Sequence, residues 1–404
     1  MGRALSTVRG FAAPETDHAY AQAASLGQRL QVGSRLFPVL WGRICALRIA
    51  GHLVAGHRTA REFLRLARRC GDTGHLLTAE RSFGDSEWGF GRVASARPHL
   101  ERALALYNPA EHAGLALDYA YNQRVVARNL LSGTLFVLGY ADQAQMQVQQ
   151  SLAEAEALRH RASLAHALDF AGLLDQFRDD PTRVLSHAAA VRQLAEEQAI
   201  PFWSGRAAAL EGWAIGRTGR PDEGAAMIRR ALNALLATGV RLWRPYHLAL
   251  LADVELCAGL HDQALAHVVE ALHHVEETGE RWYEAELHRR RGKLAMSSGG
   301  DVSVAEAAFH AALDLARRQG AKMWELRVAA SLARLWAERG DRRNAHDLLA
   351  PVYGWFTEGF DAPDLIEAKA LLDALRCCES CPLTPGVIGR GMHRAKGLPP
   401  HRRA

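Results

Sequence analysis

The sequence predicts an all-α solenoid of stacked helix pairs, and three observations predict it. Ala, Leu, Arg and Glu dominate a 404-residue chain in which proline is sparse before residue 380, a composition that favours helix over strand. Glycines recur about every 40 residues at Gly219, Gly259, Gly300 and Gly340. Each is followed by one pattern: a small residue five positions on, a larger apolar one nine on, and another small one twelve on.

The units can be justified in chain order. Gly56 fits with one residue deleted, giving Ala60, Leu64 and Ala67. Gly91 leads to Ala96, Leu100 and Ala103, and Gly139 to Ala144, Val148 and Ser151. The wide gap before Gly219 leaves room for one unit whose turn is RDDPTR, Arg178 to Arg183. Gly219 is followed by Gly224, Ile228 and Ala231, Gly259 by Ala264, Val268 and Ala271, and Gly300 by Ala305, Phe309 and Ala312. Gly340 gives Ala345 and Leu349, with Val352 where a small residue is expected. Offsets of four and three keep these positions on one helical face. Small residues there admit a second helix closely, and the larger one fills the groove between them. The segment before each turn is helical too: ASLARLWAERG puts Leu332, Leu335 and Trp336 on one side. Units connect near Thr238-Gly239, Thr278-Gly279 and Gln319-Gly320, where glycine suits a left-handed helix end.

This is tetratricopeptide-like patterning in units of about 40 residues, longer than the usual 34 or so. The fold class is a right-handed superhelical solenoid of about eight helix-turn-helix repeats over residues 17–361. Residues 1–16 form an N-terminal extension, 362–375 a capping helix, and 376–404 a basic tail expected to be disordered. In PVYGWFTEGFD, Pro351 to Glu358 continues the second helix of the last unit and Gly359 caps it. Phe360 then folds back on Trp355, and Asp361 caps the final helix, so these aromatics seal the end of the stack. Nearest-neighbour contacts are expected to dominate, giving unfolding of reduced cooperativity.

Three stretches carry a family resemblance: RPYHLALLADVELCAGLHDQALAHVVEAL (Arg244 to Leu272), TGERWYEAELHRRRGKL (Thr278 to Leu294) and LLAPVYGWFTEGFDAPDLIEAKALLDAL (Leu348 to Leu375). They resemble the C-terminal tetratricopeptide-repeat region of bacterial predicted ATPases of the STAND/AAA type, often fused to class III adenylate or guanylate cyclase domains. The resemblance covers about residues 17–375. It implies a sensor scaffold that binds a protein or effector and relays it to an ATPase, cyclase or transcription module. The chain departs from those longer relatives in one respect: no GxxxxGK[ST] phosphate loop occurs in it. A helical chain also has no place for the βαβ framework of a cyclase.

Several function classes drop out. The net charge of +5 resides in the segment from Arg376 onward, so the body gives no signal for nucleic acid; only the tail GRGMHRAKGLPPHRRA does. No apolar run approaches the ~18 residues of a membrane span, and MGRALSTVRGF lacks a signal-peptide core, so a cytoplasmic protein is expected. Cys45, Cys70 and Cys257 read as buried small apolar residues. Cys377, Cys378 and Cys381, with His393 and His401, hold one lone CxxC and read as incidental thiols rather than zinc ligands. HExxH and GxSxG are absent; GDSEWG at Gly84 to Gly89 only looks similar. No nucleophile, base or metal set emerges, so no catalytic residue, metal or cofactor is expected and the protein is read as a non-enzyme.

The remaining candidate is the inner face of the solenoid. Counting back from each turn glycine gives Asn129; Arg206, Trp213 and Arg217; Tyr246 and Asp253; and Arg327, Arg334 and Glu338. The turn near Gly299-Gly300 is ambiguous by one, giving either Arg290 or Glu286, Arg289 and Lys293. The resulting groove leans basic, with two aromatics for stacking, and suits an acidic or carboxylate-bearing protein or peptide partner. A small effector against Trp213 and Tyr246 is the alternative, and a non-functional remnant of a longer regulator is another.

Overall fold

The computed structural model describes residues 5–6, 9–30, 33–197, 201–297 and 301–376, among which are twenty α-helices and no strand. Helix α1 (Pro14–Arg29) packs on α2 (Leu36–Ile49), which opens eight antiparallel pairs. The first are α2 with α3 (Leu53–Cys70) and α4 (Thr73–Gly89) with α5 (Val93–Leu106). After the short α6 (Pro109–His112) and α7 (Leu115–Tyr119) come α8 (Gln123–Val137) with α9 (Ala141–Leu158), and α10 (Arg161–Phe177) with α11 (Pro181–Glu197). The second half pairs α12 (Pro201–Arg217) with α13 (Pro221–Ala237), and α14 (Arg244–Cys257) with α15 (His261–Thr278). It ends with α16 (Glu284–Ser297) on α17 (Val302–Gln319), α18 (Lys322–Glu338) on α19 (Arg342–Tyr353), and the unpaired α20 (Pro363–Arg376). The architecture is the helical solenoid the repeat pattern predicts.

The turns fall where the glycines lie, with one correction. Gly91, Gly139, Gly219, Gly259 and Gly340 have positive φ, as do the connections Gly239, Gly279 and Gly320, and Asp179 takes that role in RDDPTR. Gly300 lies outside the described residues. Gly56, however, sits inside α3; the turn is Gly51, and Gly56 fills the small position five residues on, while Ala60 stands at the larger position and Phe63 at the second small one. Its small size has a cause: a Cβ there would meet the Arg48 side chain at 2.8 Å. The repeated positions are the pair interfaces. Leu100, Val148, Val268 and Phe309 are at most 2% exposed, each contributing ~1.5–3 kcal/mol by burial.

The solenoid is not a chain of nearest-neighbour contacts alone. It coils tightly enough that successive turns of the first half meet successive connections of the second. Arg241 N–H donates to the Ile49 carbonyl at 2.8 Å, and Arg281 N–H to the Gly89 carbonyl at 2.9 Å. Arg327 Nη2 donates to the Phe177 carbonyl, and Arg178 pairs with Asp361 at 3.2 Å. Between these seams runs a column of aromatics. Trp88 stacks on Trp282 with centroids 4.5 Å apart, both touch Trp243, and Trp324 meets Phe136 and Phe177.

This coiling changes the reading of PVYGWFTEGFD. Helix α19 stops at Tyr353, earlier than expected, because the following residues turn to the middle of the chain. Trp355 packs edge-on to Tyr140 at 5.7 Å, and a Cβ on Gly139 would lie 2.7 Å from its ring, so only glycine admits the indole there. Glu358 accepts from the N–H groups of Asp142 and Gln143 at the start of α9, and Asp142 accepts from Gly359 N–H. Gly359 is left-handed, but in this loop rather than at a helix end, and Phe360 lies by Tyr353 instead of Trp355. Asp361 serves Arg178 rather than capping α20. The cysteines also differ: Cys70 and Cys257 are exposed and Cys45 is partly buried. Cys377, Cys378, Cys381, His393 and His401 lie outside the described residues. Among the described residues no helix is long and apolar enough to cross a membrane, and no group of three or more His, Cys, Asp or Glu is placed to hold a metal ion.

Candidate partner-binding inner face

The first helix of each pair lies beside the first helix of the next, and polar side chains link them at a constant interval. Asn129 reaches His166, Asp169 reaches Arg206, Asp253 reaches Arg290, and Arg327 reaches Asp364, each across 37 residues. That interval falls nearly one helical turn short of the 40-residue repeat, so each inner helix is staggered by about a turn along its neighbour.

The nine expected inner residues divide into two groups. Asn129, Arg206, Trp213 and Tyr246 are at most 3% exposed. They do not line an open groove, because the coil brings the two halves together over them. Asn129 Nδ2 donates to Nδ1 of His166, whose pKa burial pushes down to about 3. Arg206 forks onto Asp169 with its guanidinium 3.9 Å from the Trp243 ring, and Tyr246 donates to Gln176 Oε1 at 2.9 Å. Arg327, mostly buried, joins Asp364, Glu286 and the Phe177 carbonyl.

Arg217, Asp253, Arg334 and Glu338 form the accessible group. Arg217 pairs with Asp179 at 2.6 Å, Asp253 with Arg290 at 2.8 Å, and Arg334 with Glu367; Glu338 is exposed. Both alternatives at the ambiguous turn belong to one cluster. Glu286, fully buried, takes Arg289 at 2.6 Å and Arg290 at 2.8 Å. Burial pushes its carboxyl up, but Arg289, Arg327 and Arg290 outweigh that and hold it well below the ordinary carboxylate range.

Sequence reasoning missed the residues that close the coil. Trp203 and Trp324 lie in the first turns of α12 and α18, Trp243 is the residue before α14 and Trp282 the second residue before α16, a recurrence visible in the sequence. Glu280 holds two of them: both its oxygens accept from Trp243 N–H at 3.0 Å, and Oε1 accepts from Trp282 Nε1 at 3.1 Å. Burial raises its pKa from 4.5 to about 7, against the opposing pull of these bonds and of Arg48 and Arg206. A carboxyl with a raised folded pKa lends stability that is complete below its unfolded pKa, here 4.5, and lost as pH rises through about 7. The difference is about 3 kcal/mol. Glu280→Gln keeps Oε1 for both donors and sheds the charge. Its urea midpoint is expected to match wild type near about pH 4 and exceed it near about pH 8; parallel pH profiles would contradict this.

No protein-family model matches the chain. An uncharacterized protein of Rhizobium meliloti (strain 1021) is 23% identical over 338 residues, covering 83% of this chain and 33% of that protein. The chain thus spans about a third of the length of this curated relative. A crystal structure of a Rap protein complexed with Competence and Sporulation Factor has a TM-score of 0.57 at 10% identity, covering 85% of this chain and 99% of that one. A STAND protein with a tetratricopeptide repeat sensor from Pyrococcus horikoshii has a TM-score of 0.44 at 14% identity, covering 92% of this chain and 56% of that one. The likeness to the Rap structure is one of fold: a helical solenoid of the tetratricopeptide type.

Proposed function

We propose that the chain is a non-catalytic repeat scaffold that binds a protein or peptide partner along the accessible part of its inner face, and relays that binding to a regulatory ATPase, cyclase or transcription module. One observation carries this: Arg217, Asp253, Lys293 and Arg334 or Glu338 continue one accessible charged strip over four consecutive inner helices, α12, α14, α16 and α18. Ion pairs such as Arg290 with Asp253 hold the strip's side chains in place before a partner arrives, which lowers the entropy cost of binding. The Rap protein of similar fold, solved with Competence and Sporulation Factor, supports a binding role. Trp213 and Tyr246, which a small-effector pocket would use, are packed in the hydrophobic core. The test is photo-crosslinking in cells from a benzophenone side chain placed at Arg217 or Arg334, with outer-face Arg343, 87% exposed, as the control. Discrete adducts are expected from the two inner positions and not from Arg343. Adducts from Arg343 alone, or ATP or GTP turnover by the pure chain, would overturn the reading.

A further inference from the structure

The cluster around Glu286 is one negative charge short. Four cations meet there, Arg289, Arg290, Lys293 and Arg327, against three carboxylates, Asp253, Glu286 and Asp364. Every carboxylate is engaged: Asp253 takes both Nε and Nη2 of Arg290, Asp364 takes Nε and Nη2 of Arg327, and Glu286 takes Arg289 and Arg290. Lys293 alone has no carboxylate partner among the described residues, and it is exposed. The 37-residue register explains why. One step back stands Leu256 and one step on Ala330, so neither neighbouring helix offers it a charge. Arg289 beside it pushes the ammonium below its ordinary pKa.

This unmatched charge borders a cavity of about 30 Å³, shared by Asp253, Arg289, Arg290 and Lys293 and walled by Leu256 and Leu294. At roughly 10–15 Å³ per water-sized group, such a space takes about two oxygen atoms. A two-oxygen carboxylate suits so small a space better than a four-oxygen phosphate. Arg290 neutralises the Asp253 carboxylate on the same wall, so it does not repel an incoming anion.

We propose that Arg289, Arg290 and Lys293 form a subsite for one carboxylate group, which Lys293 receives from the open side. The proposal rests on the inner-face reading for the source of that group, a chain terminus or acidic side chain of the partner, but its chemistry can be tested alone. The full chain is titrated calorimetrically with acetate, tri-alanine, tri-alanine C-terminal amide and inorganic phosphate. Acetate is expected to bind and the amide not to bind. Tri-alanine binding like acetate assigns a chain terminus, and its failure beside acetate assigns a side-chain or smaller carboxylate. Lys293→Met is expected to weaken acetate about tenfold, the size of one charge-assisted hydrogen bond, with Lys293→Arg recovering most of it. The thermal midpoint is expected to stay at the wild-type value in both variants, since no carboxylate depends on Lys293. Absence of acetate binding, equal binding by the amide, preference for phosphate, or an unchanged Lys293→Met affinity would each overturn the subsite. Inner-face crosslinks obtained together with such a result would place the partner elsewhere on that face. Acetate binding without crosslinks would leave the subsite standing and remove the partner.

Discussion

Trp282→Ala is expected to destabilise the protein by roughly 3–5 kcal/mol and also to loosen the whole coil. Trp282 is 1% exposed, stacks on Trp88 from α4, touches Trp243 and gives its Nε1–H to Glu280. Its partners therefore come from both halves of the chain. Phe309, 0% exposed, packs within a satellite cluster at the end of the solenoid with Ala305, Ala312 and Leu332. Phe309→Ala is expected to cost a similar amount, yet to leave the seam intact. Small-angle scattering under native conditions separates the two: the radius of gyration should rise for Trp282→Ala and stay at the wild-type value for Phe309→Ala. Equal radii for the two variants would show that the seam does not depend on the indole stack.

The second large effect belongs to Glu286. Glu286→Gln keeps the shape of the side chain but leaves Arg289, Arg290 and Arg327 around a neutral amide. Removing one partner from a buried charge network typically costs about 3–5 kcal/mol, because the remaining charges stay desolvated. The carboxyl is held below its ordinary range, so its contribution is present above that range and is lost as the pH falls through and below it. Chemical denaturation should therefore show a wide gap between wild type and Glu286→Gln at neutral pH that narrows in acid. A gap that is small at neutral pH, or independent of pH, would mean that the arginines repack without the carboxylate.

The repeat faces were legible because helix-pair packing is a local matter. Ala264, Val268 and Ala271 need only the partner helix beyond Gly259, and the sequence spaces both. The inner positions were legible for the same reason: counting from a turn glycine found Arg206, Asp253 and Arg327. Their exposure was not, since it depends on how tightly the solenoid coils, and that follows from small crossing angles accumulated over many pairs. Gly56 reads as a turn because Ala60, Leu64 and Ala67 follow it in nearly the expected small–large–small order, whereas Gly51, the residue with the left-handed backbone, is followed nine and twelve residues on by Ala60 and Phe63, the reverse of that order. In PVYGWFTEGFD the local preference to extend α19 was overridden by distant Tyr140 and Gly139.

The meeting of the two halves also sets an order of events during folding. Ile49 with Arg241, and Asp142 with Gly359, join segments far apart in sequence, whereas each helix pair closes through a turn of a few residues. Loop-closure entropy and contact order place the pairs early and the seams last. In the interval between, the row of indoles at Trp243, Trp282 and Trp324 stands in water on a chain that is already helical. That half-assembled species is the one on which aggregation and chaperone capture should act, and its lifetime, more than the stability of any single repeat, governs the yield of native protein.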